Sequence, residues 1–304
     1  MAIRWSDEDI NNLIKWYPEF GGEYCAEKLE RKISTIRLKA SRLGLRVKNC
    51  DRTKVSQLNT ERFLKLRQDV FDSRKDFLKK DKITPEQAYS LGFLWGDGHL
   101  STQGEMLYIT LEIATEDFTE IFPILKSLEI GKKCWKTYNR KRAETWKETT
   151  QAGLYDPYLG KFLEFYDYKN KSGCGADKIV SYIPEKLRHY FFRGLFDADG
   201  TFHFNETASS HRASISSVYD QDWNFVLNFY KSISVDHVAT ISRNISANGY
   251  KYSNIFIHRQ KYLNVLYENI FASYTQDKIG LGRKHEIIKE IYDNPKHIKL
   301  LKDR

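Results

Sequence analysis

The chain has 304 residues, 41% of them hydrophobic, with 49 Lys and Arg against 40 Asp and Glu and a formal net charge of +9 at pH 7. That length predicts two or three domains, the apolar content excludes a disordered chain, and the basic excess favours a polyanionic partner. Cys25, Cys50, Cys134 and Cys174 form no Cys-x-x-Cys pair, which argues against a zinc site or a disulfide framework. With no signal-like start and no apolar run near the about 18 residues of a membrane span, the expectation is a soluble cytoplasmic protein with reduced thiols.

In chain order, Ser6 is placed to cap a first helix, with Asp7, Glu8 and Asp9 in its first turn and Asp9 at the capping-box position. Ile10, Leu13, Ile14 and Tyr17 follow helical spacing, and Pro18 with Gly21-Gly22 is expected to stop that helix. A short second helix is predicted from Tyr24 to Leu29. A third begins at Ser34, with Ile36, Ala40 and Leu43 on one face and Arg37, Lys39 and Arg42 on the other. Gly44 ends it. This arrangement, with Trp5 as a core anchor, resembles a Myb-like or helix-turn-helix DNA-binding domain over residues 1–48. Arg37, Lys39 and Arg42, beside Lys48, would then meet DNA. Residues 49–82 are read as a helical linker, amphipathic from Thr60 to Lys80.

The remainder is an internal duplication. Tyr89-Ser-Leu-Gly-Phe-Leu-Trp-Gly-Asp-Gly98 matches Phe191-Phe-Arg-Gly-Leu-Phe-Asp-Ala-Asp-Gly200, with Gly92 paired to Gly194 and Asp97 to Asp199 at one offset of 102 residues. Further matches follow at slightly larger offsets: Asp117-Phe118 with Asp222-Trp223, Lys126-Ser-Leu128 with Lys231-Ser-Ile233, Tyr158-Leu159 with Tyr262-Leu263. Within each copy an alternating strand (Met106 to Ile113; Ala213 to Val218) precedes a helix (Phe118 to Leu128; Trp223 to Ile233). Strands Cys134 to Tyr138 and Thr145 to Thr150 follow in copy one. Val238 to Ile245 and Lys251 to His258 follow in copy two, joined by an Asn248-Gly249 hairpin turn. A final helix closes each copy. The expected fold class is α+β: a three-helix domain, the linker, and two pseudo-symmetric αββαββα repeats at 83–177 and 178–304.

Each motif is an apolar helix ending in Asp-Gly. Gly92 with Gly96, and Gly194 with Ala198, lie on one helix face and would let two helices approach closely. The glycine after each Asp is a helix stop. An Asp in the last turn faces the negative end of the helix dipole, an unfavourable placement of about 0.3–1 kcal/mol. The chain makes that choice twice in register, which marks a site rather than turn chemistry. Helices packed side by side would bring Asp97 and Asp199 together. Converging carboxylates need a cation, and hard oxygen donors suit Mg²⁺, with Mn²⁺ able to substitute.

These motifs resemble the LAGLIDADG homing endonucleases of the single-chain, two-repeat kind. Phe192-Arg-Gly-Leu-Phe-Asp-Ala-Asp-Gly200 departs from the family's nine letters at three positions, and Ser90 to Gly98 is a looser match. The resemblance covers roughly residues 83–304. It implies that the motif helices form the interface between the halves and that Asp97 and Asp199 bind metal, with the carbonyls of Gly96 and Ala198 as further candidate ligands. It implies a saddle of strands over double-stranded DNA, short 3′ overhangs, and a monomer with pseudo-two-fold symmetry. A basic residue late in each repeat would complete catalysis: Lys171 in the first, Lys284 in the second with Lys278 competing. Saddle candidates for DNA contact are Lys133, Lys136, Arg140, Lys141, Arg142, Arg212, Arg243, Lys251 and Arg259. His99 and His203 are read as DNA-facing or structural, and Trp95 as interface packing. The alternatives are a DNA-binding regulator without catalysis and an RNA maturase. The start at Met1 and the end at Lys-Asp-Arg304 disfavour an intein.

Overall fold

A computed structural model of the protein describes residues 5–47, 77–103, 106–129, 134–141, 147–205 and 210–293. Most of the linker, together with Lys48, Cys50, Lys133, Arg142 and the start of the strand expected at Thr145, lies outside them. The chain divides into two units, 1–73 and 74–304.

In the first unit Ser6 accepts the Asp9 amide and Asp9 returns the bond, closing the capping box over α1 (Asp7–Lys28). Pro18 does not end this helix. The interruption comes at Gly21, whose φ of 78° breaks α1 into two arms. With α2 (Ile33–Arg42) this gives three helical arms around Leu13, Cys25 and Ile36, with Trp5 packed against that core. Ile36 and Ala40 are buried as expected, whereas Leu43 is 37% exposed. Arg37 and Arg42 face solvent, Lys39 lies over the Trp5 ring, and Arg31 stacks on the same ring while pairing with Asp9.

The second unit runs αββαββα twice. Repeat one contains α3 (Pro85–Gly96), β1 (His99–Gln103), β2 (Met106–Ala114), α4 (Thr115–Leu125), β3 (Lys136–Arg140), β4 (Thr149–Tyr155) and α5 (Pro157–Phe165). A short α6 (Asp177–Tyr182) leads into repeat two: α7 (Arg188–Asp199), β5 (Gly200–Asn205), β6 (Ser210–Val218), α8 (Asn224–Ser232), β7 (Ala239–Ile245), β8 (Lys251–His258) and α9 (Gln260–Leu266). Then come α10 (Tyr274–Asp277) and α11 (Gly282–Asp293). Each repeat forms an antiparallel four-stranded sheet, ordered β1-β2-β4-β3 and β5-β6-β8-β7. Asn248-Gly249 makes the expected hairpin tip, with Gly249 at φ 79°.

Strand alternation decides what each sheet buries. Leu107, Ile109, Leu111 and Ile113 of β2, with Ala152 and Leu154 of β4, face one apolar core. Ala213, Ile215, Ile255 and Ile257 do the same in the second sheet. The opposite face of each sheet carries most of its exposed strand residues, although Ser214 and Asn254 on that face of the second sheet are buried. At the centre α3 packs against α7 without side chains between them at the glycines: a β-carbon on Gly92 would fall 1.9 Å from the Phe191 carbonyl oxygen, and one on Gly194 2.2 Å from that of Tyr89. The helix-helix seam is therefore backbone on backbone, as the glycine spacing predicts.

Candidate active site at the ends of the paired helices

Asp97 caps the C-terminus of α3, and Asp199 is the last residue of α7. At this end a β-carbon on Gly96 would come within 2.4 Å of the Ala198 β-carbon and 3.0 Å of Asp199 Oδ2, so the small-residue pair brings the two acids' helix ends into contact. The glycines after the acids do not act as left-handed caps. Gly200 is extended, and neither it nor Gly98 has a positive φ. They are required for space instead, because a β-carbon would lie 2.5 Å from the Leu94 oxygen at Gly98 and 2.4 Å from the Phe196 oxygen at Gly200.

A helix C-terminus leaves carbonyls without partners. Here a lysine supplies donors to each set. Lys171 Nζ donates to the carbonyls of Leu94 (3.3 Å), Trp95 (2.7 Å) and Gly96. Lys284 Nζ donates to those of Phe196 (2.9 Å), Asp197 (2.6 Å), Ala198 (3.5 Å) and Gly200 (2.8 Å). Two lysines far apart in sequence thus take equivalent places, each complementing the negative end of its helix. Lys278 is elsewhere, at the left-handed end of α10 with its ammonium over Tyr274.

The electrostatics are those of a crowded, largely desolvated site. Burial pushes the Asp199 carboxyl up to about 6, and the charge of Asp97 adds to the shift, while Lys171 and Lys284 oppose it. Burial also raises Asp97 against the pull of both lysines. Lys171 is pushed down to about 8 by burial, with Asp199 and then Asp97 pulling it back. Burial likewise lowers Lys284, opposed by Asp197 and Asp97. A cavity of about 240 Å³ beside Asp199 is walled by Trp95, Gly96, Lys171, Ser216, Gln221 and Trp223.

This donor set fits a divalent cation. Two carboxylates that resist joint ionisation are relieved by a positive ion between or beside them. Among the described residues no cluster of three or more His, Cys, Asp or Glu side chains forms a closed cage. An ion here would complete its shell with carbonyls, water and substrate oxygens, a coordination suited to Mg²⁺. The Gly96 carbonyl already accepts from Lys171, and Ala198 lies at the edge of Lys284's reach.

The remaining expected residues divide by strand parity. Lys136 and Arg140 pair with Gly153 and Thr149 and lie with Tyr138 on the open face of sheet one, while Lys141 follows at the strand end. Arg212 pairs with His203 and His258 on the open face of sheet two and stacks on Phe256. His99 shares the open-face parity of sheet one, so neither histidine joins the acids. Arg259 follows β8 at a positive φ of 75°. Arg243 and Lys251 do not share the open face. Arg243 pairs with Ser253, whose hydroxyl is held by Trp223 beneath the sheet, and donates to the Tyr219 carbonyl. Lys251 pairs with Ile245 and lies over the Tyr219 ring. Trp95 is 4% exposed and packs edge-on against Tyr168 and Phe225, as interface packing requires.

Sequence reading misses two supports of the site. Arg193, 1% exposed in the middle of α7, donates to the carbonyls of Ile270 and Ile279, to Ser273 and to Asp277. Asp197 accepts from Tyr89 Oη and the Leu281 amide, both at 2.8 Å, and burial pushes its carboxyl up to about 6. A signal for Arg193 is present: a guanidinium inside an otherwise apolar helix must find several buried acceptors.

Neither the family models nor the curated proteins contain a match to this chain. Solved structures are similar at low identity. The homing endonuclease I-WcaI bound to its DNA recognition sequence matches at 14% identity and a TM-score of 0.46, covering 69% of this chain and 90% of that one. The LAGLIDADG homing endonuclease I-GzeII with its DNA target matches at 12% and 0.43, covering 73% and 92%. A variant of I-DmoI with nicked target DNA and manganese matches at 11% and 0.41, covering 62% and 97%.

Proposed function

We propose that this chain is a site-specific endonuclease that hydrolyses both strands of duplex DNA, using divalent metal ions at Asp97 and Asp199. The observation that carries the reading is the doubled arrangement of an acid and a carbonyl-tethered lysine at the ends of two helices in backbone contact. Gathering two acids and two lysines at one seam desolvates all four, and such perturbed groups cluster at functional sites. When bound, Mg²⁺, or Mn²⁺ in its place, would polarise a phosphate oxygen and favour hydroxide over water. Asp97 and Asp199 would hold it. The ammonium groups of Lys171 and Lys284, fixed by three or more carbonyl bonds each, would face the charge that develops on the phosphate without having to reorganise.

The open sheet faces, with Lys136, Arg140 and Arg212, are the surface assigned to the duplex in this reading. Residues Arg37, Lys39 and Arg42 of the N-terminal unit are assigned a second DNA contact. Because one chain carries both acids, the active species is a monomer on one pseudo-symmetric target, cut to short 3′ overhangs. The test is incubation of the full chain with a randomised duplex library and Mg²⁺, followed by sequencing of cut ends. Specific retention of duplex with no cutting in Mg²⁺ or Mn²⁺ would overturn the reading in favour of a binding-only regulator. Preference for structured RNA would favour a maturase.

A further inference from the structure

The two lysines are held in chemically different ways. Lys284 stands at the end of residues 280–283, a stretch of repeat two clamped by acids. The Leu281 amide donates to Asp197 Oδ2 at 2.8 Å, and the Gly282 amide donates to Glu120 Oε1 at 2.6 Å. Arg283 places Nε and a terminal nitrogen on the two oxygens of Asp117, both at 2.6 Å. Tyr274 Oη also donates to Glu120, at 3.0 Å. Asp117 and Glu120 belong to α4 of repeat one, so this clamp crosses between repeats. Glu120 meets the first residue of α11, where orphan amides and the helix dipole favour a carboxylate. The approach is close: a β-carbon on Gly282 would sit 2.7 Å from Glu120 Oε1.

At the repeat spacing, the positions of Asp117 and Glu120 correspond to Asp222 and Phe225. There the segment carrying Lys171 is held differently. Gln221 donates to the Cys174 carbonyl at 2.8 Å, and Gly175 packs against the Phe225 ring. Asp222 turns its carboxylate to the amide of its own helix at Asn224. One lysine is therefore seated by two carboxylates from the opposite repeat, the other by an amide and an aromatic ring.

We propose that Asp117 and Glu120 are positioning residues for Lys284, and that they make one half of the cleavage site dependent on an inter-repeat charge clamp that the other half lacks. The proposal rests on the nuclease reading above, and it assigns to the pair of half-sites an unequal sensitivity: loosening the clamp displaces Lys284 and slows one strand only. Misplacement by about 1 Å costs on the order of 100-fold in rate, so the slowed strand should fall roughly 10- to 100-fold. Elevated salt should act in the same direction, because Arg283 is half exposed and its pair is open to screening.

The experiment uses the full-length protein with a duplex labelled differently on each strand. Lys284→Met and Lys171→Met first identify the strand each lysine serves. Asp117→Asn and Glu120→Gln should slow the Lys284 strand, leave the Lys171 strand at the wild-type rate, and add nothing to Lys284→Met. Glu120→Asp should recover part of the loss. In parallel, acylation of lysines without DNA, read by mass spectrometry, should show Lys284 becoming more reactive in both clamp variants, with Lys171 in the same sample as the control for general unfolding. Equal slowing of both strands, or unchanged Lys284 acylation, overturns the proposal. If the wild type cuts neither strand, the nuclease reading fails, and the acylation result still decides whether the clamp positions Lys284.

Discussion

Gly92→Ala tests the helix seam on which both halves of the site depend. The added β-carbon would start 1.9 Å from the Phe191 carbonyl oxygen, 2.7 Å from its carbon and 2.9 Å from the Phe191 α-carbon. All three are backbone atoms, so no rotamer change can clear them. Ordinary contact lies near 3.4 Å, so α3 and α7 must part by roughly 1.5 Å over their shared length. Overpacking in a tight core costs typically about 1–3 kcal/mol, and more where rigid backbone is the obstacle. We expect a loss of about 3 kcal/mol or more, which in a unit of this size lowers the melting temperature by roughly 6–12 °C. The same parting would separate the ends that carry Asp97 and Asp199, so cutting should fall further than stability explains. Gly153→Ala is the control for melting, since its β-carbon would meet nothing nearer than 3.8 Å. Thermal melting and double-strand cutting below the melting range measure both effects. If Gly92→Ala melts with the wild type and cuts at its rate, the backbone seam does not set the site.

Asp97→Asn and Asp199→Asn should each abolish double-strand cutting while keeping specific DNA binding, measured by gel shift on the same duplex. Asp277→Asn should cost about 3–5 kcal/mol at neutral pH by leaving the buried Arg193 guanidinium without its counter-charge. Burial pushes Asp277 up, but the Ile279 amide, Ser273 and Arg193 outweigh it and hold the carboxyl below 3.8. Its stabilisation is therefore present above pH 3.8 and is lost as the pH falls through the lowered folded value, so the gap between wild type and variant in denaturant melts should close only in that acid range. Deleting residues 1–48 should weaken binding, shorten the footprint on one side, and lower the log–log salt slope by about one for each phosphate the shortened chain no longer neutralises. Sedimentation of the DNA complex should give one chain per duplex.

What is legible in the sequence is what packing repeats. The two Asp-Gly helices and the strand and helix order are local patterns that recur in both copies, and the hairpin at Gly249 is set by its own turn residues. Boundaries differ by a few residues, as at β4, which runs Thr149–Tyr155 rather than from Thr145 to Thr150. Pro18 reads as a stop because an interior proline forfeits one hydrogen bond, yet the helix survives it and gives way at Gly21. Charge alone places Arg243 and Lys251 on the saddle. Their side of the sheet follows instead from register between β7 and β8, which a one-residue shift would invert. The clamp on Lys284 is beyond sequence reasoning for another reason: Glu120 and Gly282 are separated by 162 positions, and no periodicity links them.

The geometry also ties the charged groups of each half to the other half. Lys171 is anchored on the α3 carbonyls of its own repeat, yet the larger pull on its charge comes from Asp199 of the other. Lys284 is anchored on α7, and after Asp197 the acid that pulls it most is Asp97 across the seam. Each acid thus shares its surroundings with a lysine tethered to the opposite helix, and the close approach at Gly92 and Gly194 is what brings them within range. An isolated repeat would keep one acid and one lysine but lack the partner of each. It would also expose the apolar face of a motif helix to water. Along the seam the copies share the glycines at closest approach and the closing Asp-Gly, while Leu91 and Trp95 give way to Arg193 and Asp197. The open faces carry Lys136, Arg140 and Glu112 on one sheet and Arg212, Phe256 and His258 on the other, where no core partner fixes the residue type.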